Sequence, residues 1–419
     1  MLPLSGLRVI DIGTVLVAPY ASQWLADLGA DVIKVEPPGG DQTRFTGPEA
    51  EPGMASLFLG LNRNKRSIVL DIASQPGREV LEQLIAGADV FMHNIRSQKL
   101  GKLEIDAATL CERYPRLVYA QVQGFASDGQ YAGRPAYDDI VQGMSGIVDM
   151  MYRQSGTMRF APMALADKTC GLVMAMAILA ALTSRARTGA GTVVEVPMFE
   201  TMVSFNMVEN FGDAYAREDQ PEMGYRRTLS HARGPYRTRD GTICFMPYTD
   251  RQWRAFFSHI GRAELIGDSR FANMTGRSSN IDLLYEMLAE TLQTGTTAEW
   301  LAFAESADIA AAPVQTLEAV LKDRHLEECG YFAETDDAAL GRLRYPGVPV
   351  SFAGTRPSVR QPPRMGEHTE EILAELGIPA AMARELSGDA IDGHGPVPAR
   401  PVPETVPQPG RRQSRNRMR

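Results

Sequence analysis

The stretch "LRVIDIGTVLVAPYASQWLADLGADVIKVE", residues 7–36, decides the fold. Its first apolar run, residues 7–13, is typical of a buried strand. A helical pattern follows through "PYASQWLADLGA", and "DVIKVE" at residues 31–36 predicts a second strand. A strand, a helix and a second strand in this order form a βαβ unit, which places the two strands parallel in one sheet.

The same alternation continues for about half of the chain. Further strands are predicted at residues 66–72, 89–95, 116–125 and 191–198, with helices between them, the last of these at residues 169–185. Short strands that alternate with helices predict a parallel sheet covered on both faces. We therefore expect an α/β fold whose large domain contains a parallel, doubly wound (Rossmann-like) sheet.

The pattern changes after about residue 205, where the chain becomes polar, arginine-rich and aromatic. "RTRDGTICF" predicts a hairpin with an Asp240–Gly241 turn, and three helical patterns follow it. We expect residues 1–205 to form the first part of the large domain, 206–224 a linker, 225–326 a smaller α+β domain and 327–387 a linker that returns to the large domain. Residues 388–419 are rich in proline and arginine and are predicted to be disordered.

Composition excludes several classes of function. The net charge is −8 and the basic residues are dispersed until the last positions, which argues against a nucleic-acid partner. The N-terminus lacks the pattern of a signal peptide, and the longest apolar run, residues 171–182, is predicted to be too short to cross a bilayer. We expect a soluble, cytoplasmic protein without a membrane partner. Its four separated cysteines and six histidines show no metal-ligand spacing, so no metal is expected.

In an open parallel sheet, ligands bind at the carboxyl ends of the strands. Glu36 closes the second strand where a ribose-binding acid would stand, but the preceding turn, "DIGTVLVAPYAS", has one glycine where a dinucleotide fingerprint requires three. Neither a GxxxxGK[ST] phosphate loop nor a GxSxG serine elbow is present in the sequence. Dinucleotide, ATP and serine-hydrolase chemistry are therefore disfavoured.

Asp167 stands out because it precedes a long apolar helix, in "PMALADKTCGLVMAMAILAAL". Aspartate is a good N-cap residue, and Gly189 would end the same helix, so a purely structural role explains it. Alternatively, the helix dipole would keep a carboxylate ionised beside an apolar wall, where it can act as a nucleophile. Spacing alone does not separate these two interpretations.

Several blocks of sequence together resemble the class III acyl-CoA transferases, of the formyl-CoA transferase and carnitine CoA-transferase type. They occur in the family's order and span nearly the whole chain up to the tail: "GLRVIDIGTVLVAPYASQWLADLGADVIKVEPPGGDQTR", "NRNKRSIVLDI", "HNIRSQKLGKL", "AYDDIVQGMSG", "ALADKTCG" with "ILAALTSRARTGAGTVVEVPM", and "MGEHTEEILAELG". The resemblance implies a CoA-transferase with acyl-CoA and a small carboxylate as substrates. Its catalytic aspartate corresponds to Asp167, which would form a mixed anhydride and an aspartyl-CoA thioester without ATP or metal.

The resemblance also implies which residues bind coenzyme A, the co-substrate. Family positions near the reactive end of CoA correspond to Val15, Leu16 and Ala18. The adenine would lie beside the strand end at Leu70, Asp71, Ile72 and Ala73, and the phosphates near Asn94, Arg96 and Lys102. The structural alternative for Leu70 to Ala73 is a plain strand end, and the alternative for Arg96 and Lys102 is a solvated helix face.

Tyr137 corresponds to an aromatic residue near the substrate in these transferases, and the structural alternative is a buried core tyrosine. The related α-methylacyl-CoA racemases use a histidine at this place, but none lies between His93 and His231. The chain also departs from the formyl-CoA enzymes, which have glutamine at Leu16, arginine at Pro37 and a glycine-rich loop that "RRTLSHARGPYRT" lacks. These departures argue against oxalate as the acceptor.

Family members are interlocked, ring-shaped homodimers whose active site lies between the large domain of one subunit and the small domain of the other. The resemblance implies such a dimer here, and Arg227 and His231, with Arg226 and Arg233, would then bind the acceptor carboxylate from the partner subunit. Intramolecular CoA transfer on a dicarboxylate, a racemase-like activity and a non-catalytic CoA-binding protein remain as alternatives.

Overall fold

The structure is a computed structural model that describes residues 1–216, 219, 222–382 and 386. Its main sheet has six strands in the order β3-β2-β1-β4-β5-β6, and every neighbouring pair is parallel. The predicted α/β fold with a parallel sheet is therefore confirmed. The strands are β1 (Arg8–Asp11), β2 (Asp31–Glu36), β3 (Arg66–Val69), β4 (Val90–His93), β5 (Val118–Gln123) and β6 (Thr192–Pro197).

The first nine helices belong to the part of the chain that builds this sheet: α1 (Val17–Asp27), α2 (Ser56–Leu61), α3 (Gln75–Ala86), α4 (Ser97–Leu100), α5 (Ala107–Arg113), α6 (Asp138–Met144), α7 (Ile147–Ser155), α8 (Leu165–Thr188) and α9 (Met198–Asn210). Among the described residues, eight further helices follow: α10 (Arg226–Leu229), α11 (Asp250–His259), α12 (Met274–Ser279), α13 (Ile281–Leu292), α14 (Thr297–Ala307), α15 (Leu317–Val320), α16 (Arg324–Glu328) and α17 (Thr369–Glu375). The sequence interpretation did not identify α2, α6, α7, α9 or the short helices α10, α12, α15 and α16.

Hydrophobic side chains cover both faces of the main sheet. Val9 of β1 points to the face that α1 and α8 cover, where it belongs to one core cluster with Ala21 and Met174. The next residue, Ile10, belongs to a separate cluster on the opposite face with Leu81 of α3 and other residues of α5 and α17. This alternation is the period-two pattern of a strand buried on both sides.

Helix α8 packs closely against α1, and this contact positions the first turns of both helices at the carboxyl edge of the sheet. A Cβ atom on Gly171 would lie 2.8 Å from the carbonyl oxygen of Val17, so the two helices approach closely only because residue 171 is glycine. At the other end of α8, Arg185 donates to the carbonyl oxygens of Asp89 and Arg116, which precede β4 and β5. Both helices therefore begin at the carboxyl edge and run toward the opposite edge.

Helix α8 is longer than the sequence predicted, since it begins at Leu165 and ends at Thr188. The predicted terminator is confirmed, because Gly189 has a positive φ of 76° and donates to the carbonyl oxygen of Arg185. With a mean hydropathy of 1.7 in its most apolar window, this helix meets the length and composition of a membrane span, a test that core helices also pass. The predicted apolar run, residues 171–182, thus lies within a longer helix, so the length of that run does not by itself exclude a membrane span.

A second core lies in the region after α10. Strands β7 (Tyr236–Arg237), β8 (Thr242–Met246) and β9 (Ala310–Pro313) form an antiparallel sheet, and the predicted hairpin at Asp240–Gly241 joins the first two. Helices α11, α13 and α14 pack on it through aromatic and aliphatic side chains such as Phe256 and Trp300. Strand β9 was not predicted, because its small residues lack the β-branched pattern of a strand.

The chain then returns to the main sheet. A hairpin of β10 (Phe332–Asp337) and β11 (Gly341–Pro346) precedes α17, whose Ile372 and Leu373 belong to the core cluster of β1 and β2. Arg66 of β3 fixes α17 from outside through ion pairs with Glu371 and Glu375. The tail that we predict to be disordered, residues 388–419, lies outside the described residues.

Gly171→Ala should destabilise the protein by about 1–3 kcal/mol, because the atom nearest to the new methyl group, at 2.8 Å, is a backbone oxygen of α1, which cannot move aside as a side chain can. Gly60→Ala in α2 is the matched control, since no atom lies within 4 Å of the place that its new methyl group would occupy, and alanine favours a helix by up to about 1 kcal/mol. Urea unfolding of both variants tests the packing, and equal stabilities would contradict it.

Candidate active site

The order of the strands reverses between β1 and β4, and the loops that follow these two strands therefore diverge at the carboxyl edge. Such a topological switch point is where open α/β sheets bind ligands. The loop of residues 12–16 leaves β1 and enters α1, and residues 94–96 leave β4. The first turn of α8 begins at the same edge. The predicted nucleophile and several predicted CoA-binding residues therefore all lie at the carboxyl edge of the sheet.

Asp167 lies in the first turn of α8 but is not its N-cap. The N-cap is Ala164, which makes no side-chain cap, and Asp167 is the third residue of the helix. Its backbone N–H donates to Oδ1 of Asp138, the first residue of α6, over 3.0 Å. The N-cap interpretation of Asp167 is therefore wrong: Asp138 provides this capping bond from another helix, and the Asp167 carboxylate remains available.

The surroundings of Asp167 favour its neutral form. Burial is the main cause that raises the pKa of Asp167 to about 6, and the negative charges of Asp138 and Asp139 add to it. These effects oppose the ionisation that we expect the helix dipole to favour. A carboxylate with a pKa near 6 is still mostly ionised at neutral pH, and it is more basic and less solvated than an exposed one, which suits a nucleophile.

The loop after β1 is fixed to the loop after β4. Asn94 accepts a hydrogen bond from the Thr14 N–H over 2.9 Å and donates to the Thr14 carbonyl oxygen over 2.7 Å. Both ends of its amide therefore bind Thr14, so its side chain orients the loop. Leu16 and Ala18 have buried side chains, which leaves backbone groups as their means of contacting a ligand.

The strand end predicted to flank adenine forms a tight turn between β3 and α3. Leu70 is a core residue whose side chain is buried, which leaves its backbone as the part that can contact a ligand. Asp71 accepts a hydrogen bond from the Ala73 N–H over 3.0 Å, and Ser74 caps α3. Asp71 and Ile72 are half-buried and Ala73 is exposed. These last three residues are the accessible part of the predicted adenine site.

Arg96 and Lys102 are exposed cations near the end of β4. Arg96 lies in the loop before α4, and Lys102 lies in the 3-10 helix Gly101–Leu103 that follows it. Neither forms an ion pair with any residue in the described part of the chain. Unpaired cations that follow one strand of a parallel sheet are available to bind phosphate groups.

Tyr137 is 71% exposed and directly precedes Asp138, so the alternative of a buried core tyrosine is wrong. Its exposed ring lies at the N-cap of α6, next to the residue that accepts the Asp167 N–H.

Arg227 and His231 make their contacts in and near the second core. Arg227 lies 5.7 Å from the centre of the Tyr248 ring and reaches the sulfur of Met246. His231 lies between two acids, 3.1 Å from Glu286 and 3.8 Å from Asp282. The described contacts of these two residues do not reach α8, so this single chain does not bring them to Asp167.

Glu36, the candidate ribose-binding acid, is fully buried. It accepts hydrogen bonds of 2.6 and 2.7 Å from Arg44 and one of 2.6 Å from Ser67, which leaves it no role in binding a ribose. Sequence reasoning missed two further charged residues behind the loop after β1, Lys34 and Asp41. A lysine in the middle of an otherwise apolar strand was the available signal.

No cluster of three or more potential metal ligands occurs among residues 1–216, 219, 222–382 and 386.

A family model described as CoA-transferase family III matches residues 4–369. A succinate–glutarate CoA-transferase of Agrobacterium fabrum is 32% identical over 391 residues, which are 89% of this chain and 96% of that protein. A succinyl-CoA:glutarate CoA-transferase of Mus musculus is 29% identical over 90% of this chain and 87% of its own. A CAIB/BAIF family protein from Brucella suis has a similar structure, with a TM-score of 0.75 and 31% identity over 90% of this chain and 99% of that one.

Asp138→Asn should lower the pKa of Asp167 below about 6, because the change removes a neighbouring negative charge while the amide oxygen can still accept the Asp167 N–H. A carbon-13 NMR titration of labelled aspartate carboxyl groups measures this pKa directly. An unchanged or higher titration midpoint in the variant would show that Asp138 does not act on Asp167 through its charge.

Asp167→Asn should stabilise the protein at neutral pH. The pKa of Asp167 is about 6 in the fold and 3.8 when unperturbed, so its ionisation favours the unfolded chain; the penalty is complete above pH 6 and disappears as the pH falls to 3.8. The free energy of unfolding should rise by about 1–3 kcal/mol at pH 7.5 and by much less near pH 4. Glu290→Gln, at an exposed position on α13, should change it by less than about 0.5 kcal/mol. A loss of stability in Asp167→Asn in urea unfolding would contradict the assigned environment.

Proposed function

The chain belongs to CoA-transferase family III, and from this premise we propose that Asp167 carries covalent intermediates during CoA transfer from an acyl-CoA thioester to a small carboxylic acid. The observation that carries the proposal is the Asp167 carboxylate itself. It is half-buried, lies at the ligand-binding edge of the sheet, and has a pKa of about 6 because of burial and the nearby Asp138 and Asp139.

The chemistry begins when an Asp167 carboxylate oxygen attacks the thioester carbonyl carbon. The carbon–sulfur bond breaks, CoA leaves as a thiolate, and a mixed anhydride forms between the acyl group and Asp167. The thiolate then attacks the aspartyl carbonyl carbon, which releases the first carboxylate and leaves an aspartyl-CoA thioester. The acceptor carboxylate repeats these two steps in reverse order, so that the new thioester and free Asp167 are formed.

The CoA substrate would lie across the carboxyl edge of the sheet. We assign the phosphate groups to Arg96 and Lys102, which are exposed and unpaired within the described chain. The adenine is assigned to the turn at Asp71, Ile72 and Ala73, and the thioester to the backbone of Val15, Leu16 and Ala18 at the start of α1. This placement directs the thioester toward Asp167, because Gly171, one turn after Asp167, contacts Val17.

We infer that the acceptor is a short dicarboxylate. Relatives of this chain are named for transfer between succinyl-CoA and glutarate, mesaconate or L-malate, each of which is a dicarboxylate. A second carboxylate needs a cation, and the arginines around α10, including Arg227, are candidates for it. A racemase is disfavoured, since the exposed Tyr137 occupies the position at which those enzymes have a histidine.

We further propose an interlocked homodimer in the cytoplasm. A broad apolar surface supports the dimer: helices α8 and α9 expose Leu172, Met176, Phe205 and Val208, although the inner face of α8 is buried in the core. Exposed apolar patches of this kind mark contact surfaces. A second copy that covers them would bring its own second core, with Arg227 and His231, toward Asp167.

Asp167→Asn should reduce CoA transfer from succinyl-CoA to glutarate by at least about a thousandfold, because the amide cannot form the anhydride. Glu290→Gln serves as the control and should retain the parent rate. Transfer by Asp167→Asn at the parent rate would contradict the mechanism. Binding of CoA without transfer in the unmodified protein would favour a CoA-binding protein, and solvent deuterium at the α-carbon of a branched acyl-CoA would favour a racemase.

A further inference from the structure

A buried ion pair lies directly behind the loop that leaves β1. The Lys34 ammonium is 2.8 Å from an Asp41 carboxylate oxygen, and the two side chains are 1% and 0% exposed. Burial opposes the charge on Lys34, but Asp41, Asp11 and Glu36 outweigh it and raise its pKa. Burial likewise opposes ionisation of Asp41, but the charge of Lys34 outweighs it and lowers the pKa. Both groups are therefore charged, although a buried pair often stabilises a fold no better than apolar residues of the same size.

Both members of the pair bind the backbone of the loop. Lys34 Nζ donates to the Gly13 carbonyl oxygen over 3.0 Å, and Asp41 Oδ1 accepts the Val15 N–H over 3.3 Å. The same Asp41 oxygen accepts from the Thr43 N–H over 2.9 Å, which fixes the position of Asp41. The pair thus joins β2 and the segment after it to two points of the loop after β1.

The backbone conformation of Val15 in this loop is unfavourable for a valine. Val15 has a φ of 66°, in the left-handed region that glycine favours. A β-branched residue in this region costs about 1–2 kcal/mol, and such a conformation persists only when the surroundings enforce it. Asn94 fixes Thr14 from the opposite side, so residues 13–15 are restrained by hydrogen bonds on both sides.

The restrained loop determines where α1 begins relative to Asp167. Two residues after Val15, the Val17 carbonyl oxygen lies at the close approach between α1 and Gly171 of α8. If Val15 relaxed to a negative φ, the backbone of Val15 and Leu16 would change direction relative to the first turn of α8. A displacement of about 1 Å between reacting groups is enough to reduce a rate about a hundredfold.

We propose that Lys34 and Asp41 are positioning residues for the acylation of Asp167: their ion pair holds the Val15 loop in its left-handed conformation and thereby aligns a bound thioester with the carboxylate. The inference rests on the proposed function, since it requires an acyl-CoA at this loop. The proposed role concerns the acylation of Asp167 and not the binding of CoA. The phosphate groups of CoA are assigned to Arg96 and Lys102, which follow β4 and not β1.

The double variant Lys34→Met/Asp41→Val tests this role. It removes both charges together, and Glu36 keeps its partner Arg44. Asp11, a buried acid near Lys34, keeps its ion pair with Lys65 over 3.6 Å, so no unpaired charge is buried. Rapid-quench measurement of CoA thiol release from succinyl-CoA gives the acylation rate, and calorimetry gives the dissociation constant of CoA. The acylation rate should fall by at least about tenfold, while CoA affinity changes by less than about threefold.

The matched control is Arg63→Met/Asp27→Val. Asp27 ends α1 at the opposite edge of the sheet, and its buried pair with Arg63 has a similar length of 2.6 Å. This variant should keep the acylation rate within about twofold, whatever its unfolding temperature, because it does not touch the loop. Equal losses of rate in the two double variants would show a general effect of stability and would overturn the proposal. An acylation rate of the Lys34→Met/Asp41→Val protein within about threefold of the parent would also overturn it.

Two further measurements address the loop itself. Adding Val15→Gly to Lys34→Met/Asp41→Val should restore part of the lost acylation rate, because glycine adopts a positive φ without help from the ion pair. A triple variant without any recovery would contradict the role of backbone strain at residue 15. Hydrogen exchange at the Val15 amide should become faster in the double variant than in the parent. This test needs no transferase activity, so an inactive parent protein would reject the proposed function, whereas unchanged exchange would reject the inference alone.

Discussion

The close contact of α8 with α1 is the constraint on which the site depends. Gly171 allows the backbones of the two helices to meet at Val17, and the first turn of α8 is therefore held against the start of α1. Both helices begin at the carboxyl edge of the parallel sheet. Asp167, one turn before Gly171, consequently lies near the start of α1, although the two are separated by about a third of the chain. A larger residue at position 171 would separate the proposed nucleophile from the segment to which the thioester is assigned.

The charges around Asp167 differ from those around the buried acids in the core behind it. Asp167 has no cation among its described partners; burial and two neighbouring carboxylates raise its pKa to about 6. In contrast, the buried acids Glu36 and Asp41 are each paired with a cation, Arg44 and Lys34 respectively. The protein thus pairs these two buried acids with cations, and it leaves Asp167, the proposed nucleophile, without one. In the proposed mechanism, the free-energy penalty of ionising Asp167 makes its carboxylate a better nucleophile than a solvated one.

Much of the fold follows from the sequence, and the environment of the site does not. The apolar runs at residues 7–13 and 31–36 predicted β1 and β2 to within two residues at each end, since a strand buried on both faces leaves a strong local signal. Helix α8 was predicted to begin after Asp167, because nothing local shows that Asp138, 29 residues earlier, caps its first turn. The direction of the Asp167 pKa shift depends on burial and on charges from another helix, and local sequence does not encode either. The resemblance to known transferases supplied the proposed role of Asp167, whereas the roles proposed for Lys34 and Asp41 required the three-dimensional contacts.

The most direct test of covalent catalysis by Asp167 is peptide mapping by mass spectrometry. The protein is first incubated with succinyl-CoA and then trapped with hydroxylamine. Because an anhydride or thioester on Asp167 is an activated acyl group, the account predicts conversion of this one carboxylate to a hydroxamate, dependent on succinyl-CoA. Labelling of a different carboxylate, or no labelling while CoA transfer proceeds, would contradict the claim that Asp167 carries the covalent intermediates.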